Sequence, residues 1–161
     1  MSINISLKDL NRDYPSLRLL TSREPKLAPN ASAEDRKQAG KIVYRLGRIA
    51  DAAESQQEAT NKTLQKLAKL HGITLGGQDN DPKKVDIFND SAEVMLESNR
   101  FVCRWDAFTT DELSPYFDLT GDMCKLGWLI NDGSAGEDFK PVEPEISATI
   151  PTAEQVQAAS A

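Results

Sequence analysis

The chain has 161 residues, 39% hydrophobic and 27% charged. That suits one ordinary globular domain with room for a short tail. Its net charge of −6 divides unevenly: residues 1–72 carry thirteen Lys and Arg against eight acids, and residues 73–161 carry six against seventeen. No apolar run reaches the roughly 18–20 residues that span a bilayer, and Met1 to Leu10 lacks a basic stretch followed by an apolar one, so neither a membrane helix nor a secretory leader is expected.

In chain order, Ile3, Ile5 and Leu7 alternate with Ser2, Asn4 and Ser6, a strand-like period of two. Ser6 and Asp9 equally suit the cap of a short helix carrying Leu7 and Leu10. Pro15 fits the first turn of a separate helix with Leu17, Leu19 and Leu20 apolar. Pro25 and Pro29 end it, and residues 26–30 read as a loop.

Ser32 then caps the strongest element, with Glu34 and Asp35 complementing the helix dipole. No proline interrupts Ala33 to Leu70, and Gly72 supplies the stop. Ala39, Ile42, Val43, Leu46, Ile49, Ala50, Ala53, Leu64 and Leu67 keep a helical spacing, with a polar interruption at Gln56, Gln57 and Thr60. Thirty-eight residues make a helix roughly 57 Å long, against a diameter of about 40 Å for a compact chain of this size. A straight rod of that length outgrows its globule. Another element runs along it, a second copy does, or it bends. Gly40 and Gly47, one heptad apart, either permit a close backbone approach or are local weaknesses costing about 1 kcal/mol each.

Residues 76–82 form a turn and hinge, and Val85, Phe88, Ala92, Met95 and Leu96 predict an amphipathic helix over 83–97. Phe101, Cys103, Trp105 and Ala107 alternate as a short strand, to pair with residues 2–7 or with another chain. A short helix follows over 111–117, and Thr120 with Asp122 opens another carrying Met123, Leu126, Trp128, Leu129 and Ile130. From Asn131 onward apolar residues thin out. The expected architecture is mainly α: a long helix at about 33–70 packed with shorter helices, at most a small two-stranded β element, in a helical domain over 1–133 with an acidic flexible tail over 134–161. Thr152 and Gln155 allow a last helical turn in that tail.

The inventory of reactive groups is thin. Cys103 and Cys124 are the only cysteines and His71 the only histidine, which argues against a disulfide framework and points to a reducing compartment. They lie in three different elements without the close pairs of a zinc site. Asp79-Asn80-Asp81 and Asp132-Gly133-Ser134 lack the continuation of a calcium loop, and no phosphate-binding glycine pattern occurs. Nothing selects one carboxylate pair for catalysis. No cofactor, metal or small-molecule substrate is expected, and the chain reads as a non-enzyme.

Several features in order resemble a group of small proteins from tailed phages and prophages whose function is not established. They are Leu7-Lys8-Asp9-Leu10, Leu17-Arg18-Leu19-Leu20, Lys41 to Leu46, Lys66 to Gly72, Phe101 to Trp105, and Leu126-Gly127-Trp128-Leu129-Ile130. The resemblance spans about residues 5–131, with Pro25 to Pro29 as an insertion. It implies a phage-encoded protein in the bacterial host cytoplasm or the virion, and carries over no functional residues.

The expected function is protein–protein interaction in virion assembly, with a protein partner, a homo-oligomer or both. Ile42, Val43, Leu46, Ile49, Leu64, Leu67, Trp105 and Trp128 are the candidate contact residues. One alternative is an inhibitor of a host enzyme or defence complex acting through the acidic half. Another is nucleic-acid binding through Arg36, Lys37, Lys41, Arg45 and Arg48, which recur at helical spacing; the interspersed acids and the lack of aromatic interleaving make it the less favoured reading.

Overall fold

The computed structural model describes residues 2–119 and 125–131. In chain order its elements are β1 (Ser2–Ser6), α1 (Leu7–Ser22), α2 (Ala33–Leu70), α3 (Pro82–Ser98), β2 (Arg100–Asp106) and α4 (Thr110–Leu113). The fold is mainly helical, with one long helix and a two-stranded antiparallel sheet. The tail expected over 134–161 and the helix start expected at Thr120 lie outside the described residues.

At the N-terminus the strand and the cap both form, one after the other. Ile3 is buried in the core, and the Asp9 amide donates to Ser6 Oγ at 3.0 Å. The Leu7 amide donates to the Asn99 carbonyl at 2.9 Å, fastening the strand-to-helix junction to the end of α3. Ile3 stands opposite Cys103 and Ile5 opposite Phe101, so β2 pairs within its own chain.

The break expected at Pro15 does not occur, because α1 continues through it. An interior proline removes an amide and crowds the carbonyl four residues back, costing about 3 kcal/mol. Leu7, Leu10, Leu17 and Leu20, on both sides of the proline, are all buried. Burying each large apolar side chain contributes roughly 1.5–3 kcal/mol, so their shared face outweighs the defect. The same face carries Asp13, only 1% exposed. Its carboxylate is held by the neighbouring Arg12, Nε to Oδ1 at 2.7 Å and Nη2 to Oδ2 at 2.8 Å.

A capping box starts α2: Asp35 N donates to Ser32 Oγ at 3.1 Å and Ser32 N to Asp35 Oδ2 at 3.2 Å. At the other end Gly72 takes φ of +67°, a conformation that favours glycine. Between them α2 is unbroken, with a buried stripe of Ala39, Ile42, Leu46, Ile49, Ala53, Gln57, Thr60 and Ala68. Its own chain supplies the cover. Phe108 and Glu112 meet Arg45, and β2 lies beside residues 48–55. Tyr14 of α1 is close enough to Glu54 and Glu58 for their charges to act on it. Phe88 of α3 stands edge-on to His71 at 6.4 Å. The first of the three ways to support a long helix is therefore the one used. The polar interruption at Gln57 and Thr60 is buried too.

Between α2 and α3 the chain is latched by Asn80. Its Oδ1 accepts the Thr74 amide at 2.9 Å, and its Nδ2 donates to the carbonyls of Thr74 and Gly77 at 2.8 and 3.0 Å. Asp81 caps α3 through the Lys83 amide at 3.0 Å, and Pro82 sits in the first turn, where a missing amide costs nothing. Of the apolar face expected on α3, only Ala92 is fully buried.

After β2 the expected helix over 111–117 shortens to Thr110–Leu113. Pro115 has no amide to continue it, and the chain turns so that Phe117 is buried. The described end of the helix expected to carry Leu126 to Ile130 is a turn instead. Leu129 N and Ile130 N both bond to the Leu126 carbonyl, and Asn131 N donates to Phe108 O at 2.6 Å. Leu126, Leu129, Phe108 and Leu113 are all fully buried. They complete one core with the stripes of α1 and α2.

Candidate interaction surface

A surface for a partner is made of side chains that the fold itself leaves uncovered. Ile42, Leu46 and Ile49 do not qualify. They are 9%, 2% and 0% exposed inside the chain's own core. This corrects the expectation that they contact a partner: the apolar stripe of α2 is the face that its own chain covers. Leu64, Leu67, Trp105 and Trp128 are half-buried, and of the expected set Val43 alone is exposed, at 42%.

Beside Val43 stands Tyr44, which the apolar spacing missed. It is 61% exposed and meets Trp105 edge-on, with ring centroids 6.0 Å apart. The available signal was that a large aromatic falls outside the stripe and so faces away from the core. Gly40, Tyr44, Gly47 and Asp51 recur four, three and four residues apart on that outward side. A Cβ built on Gly40 or Gly47 meets nothing within 4 Å. The fold therefore does not require glycine at either position.

The five basic residues of the nucleic-acid reading do not form one open stripe. Arg45 is a structural residue: its Nη2 lies 2.9 Å from Glu112 Oε2, and its guanidinium stacks 3.8 Å above the Phe108 ring. It is thereby removed from the set. Arg48 pairs with Asp51 at 3.6 Å, and Arg36 Nη2 donates to the Pro29 carbonyl at 3.4 Å. Lys37 and Lys41 are exposed.

Between α2 and β2 lies an open groove of about 470 Å³, lined by Arg48, Asp51, Ala52 and Ser55 on one side and Val102, Cys103, Arg104 and Trp105 on the other. Arg104 reaches over the Trp105 ring at 5.4 Å. No family model, curated protein or solved structure matches this chain. The surface must then be judged on its own chemistry.

Among the described residues no group of three His, Cys, Asp or Glu could hold a metal ion, and no helix is long and apolar enough to cross a membrane. Cys103 is buried. His71 sits at the end of α2 against Phe88. Further apolar side chains left open are Ile87 and Val94 of α3, seven residues apart and 54% and 63% exposed, and Val102 of β2 at 65%. What the described surface offers is aromatic and apolar contact area next to mixed charge, which is the chemistry of protein recognition.

Proposed function

We propose that this chain is a non-enzymatic interaction protein of a phage or prophage, acting in virion assembly. In this reading it grips another protein with the outward face of the first half of α2. The observation that carries the reading is the exposure of Val43 and Tyr44 on a helix whose inner stripe is already covered by its own chain. Exposed Tyr anchors contribute disproportionately to binding, and the open backbone at Gly40 and Gly47 lets a partner helix approach closely. The phage setting rests on the order of features shared with small phage and prophage proteins.

The test is mass spectrometry of purified phage particles and assembly intermediates, alongside the native mass of the purified chain. The wild-type chain is expected in particles or in a defined complex with a particle protein. A folded Val43→Ser, Tyr44→Ala variant is expected to be missing from both. A wild-type chain found only as a lone monomer, outside particles and intermediates, overturns the reading.

A further inference from the structure

The start of α2 lies outside the core: every residue from Ala33 to Gln38 is exposed, and burial begins at Ala39. Helices draw most of their stability from packing a face, and this end packs none of its first six side chains away. At 3.6 residues per turn, Arg36, Gly40, Gly47, Asp51 and Glu54 fall on one side of the helix, with Val43 and Tyr44 flanking it. All of them except Gly47 are exposed. Glycine weakens a helix interior, yet a Cβ at Gly40 or Gly47 meets nothing within 4 Å. Bare backbone at both positions admits a second helix at close range.

Charge changes sign along this side. Arg36 and Lys37 stand at its start, and Asp51 and Glu54 follow from roughly 22 Å further on. Such a side complements itself only when reversed. With two copies antiparallel and Gly40 of one opposite Gly47 of the other, Arg36 stands opposite Asp51. Lys37 and Glu54 then lie within a turn of that pair, and two-fold symmetry repeats the match at the other end. Tyr44 comes about 1.5 Å along the axis from its own counterpart, as does Val43 on the other flank. A parallel pair would set Arg36 on Arg36 and Asp51 on Asp51, and like charges facing across an interface are costly. The contacts that these residues make within the chain are long and at the surface: Arg48 to Asp51 at 3.6 Å, and Arg36 to the Pro29 carbonyl at 3.4 Å.

We infer that the outward face of α2 docks a second copy of this chain, in a two-fold antiparallel pair centred between Val43 and Tyr44. The inference rests on the reading of that face as a docking surface, and names its occupant; it does not rest on the phage setting.

Sedimentation of the purified full-length chain across a concentration series tests it. The mass is expected to rise from 17.7 kDa to twice that value and to stop there. Arg36→Glu with Lys37→Glu makes both ends of the paired face acidic, and Asp51→Lys with Glu54→Lys makes both ends basic. Each of these variants alone is expected to pair about tenfold more weakly, and an equal mixture of the two to pair again. Recovery in the mixture excludes misfolding as the cause of the loss. A mass that stays at 17.7 kDa throughout, growth beyond a pair, or a mixture that associates no better than its components overturns the inference. Pairing lost in Ile87→Ser, Val94→Ser but kept in Val43→Ser, Tyr44→Ala also overturns it, by placing the contact on α3. The particle experiment is answered separately. A monomeric chain that enters particles overturns the pair alone, and a paired chain that never enters them overturns only the role in virion assembly.

Discussion

Two charged side chains show how single residues hold this fold. Asp13 is buried in the core face of α1 with Arg12 as its ion-pair partner. Removing one member of such a pair leaves a buried charge uncompensated, whereas replacing both members with apolar groups is often neutral or better. Arg12→Ala is therefore expected to lower the midpoint of urea unfolding, and the double variant Arg12→Ala, Asp13→Leu to recover most of that loss. At Glu112, burial by itself raises the carboxyl pKa. The Thr109 amide and the Arg45 guanidinium outweigh it and hold the pKa below the ordinary value. A folded-state value that is depressed means stability fully present above the ordinary carboxylate pKa of about 4.3 and lost as pH falls through the folded value. Glu112→Gln, which keeps an acceptor for the Thr109 amide, is expected to flatten that acid limb of a thermal-melting profile. An unchanged limb would show that other carboxylates set it.

At the scale of elements, the sequence was legible where the signals were local. The bounds of α2 follow from Ser32, the proline-free run and Gly72, all of which act within a turn of where they lie. The continuity of α1 was hidden, because what overrides Pro15 is a leucine face completed by distant elements. The turn at Leu126 to Ile130 was hidden for a similar reason: Phe108 takes up the backbone groups that a helix needs. Ile42, Leu46 and Ile49 were misread as open to a partner because an apolar stripe marks burial without naming the cover. Only the off-stripe position of Tyr44 pointed outward. Gly40 and Gly47 now separate the two readings of the helix glycines. Since a Cβ at either site has open space, Gly40→Ala and Gly47→Ala should each raise stability by about 1 kcal/mol through helix propensity. If the outward face serves a partner helix, the same substitutions should weaken the complex by holding the backbones apart. A stability gain with binding intact would mean that these glycines serve neither the fold nor the interface.

Across the whole molecule, part of the division into a basic first half and an acidic second half is satisfied internally. Lys8 Nζ reaches Glu93 at 2.7 Å and Glu97 at 2.6 Å, tying α1 to α3, and Arg45 ties α2 to α4 through Glu112. The Glu93 carboxyl is held below its ordinary pKa chiefly by its hydrogen bond from Lys8. These pairs lie largely at the surface, where solvent screening leaves an ion pair little net worth, so they orient the helices more than they stabilise them. Lys37 and Lys41 instead lie exposed on α2, within two turns of Tyr44. Rim charges of this kind steer encounter and set its salt dependence, with little effect on folding. Lys37→Glu with Lys41→Glu should leave the melting temperature unchanged, since exposed substitutions usually stay within about 0.5 kcal/mol. The association rate with an acidic partner surface should fall roughly tenfold at low salt, and the difference should shrink as salt screens the charges. Stopped-flow association across a salt series measures both effects. A rate that ignores salt in the wild type and the variant alike would place the partner away from this end of the helix.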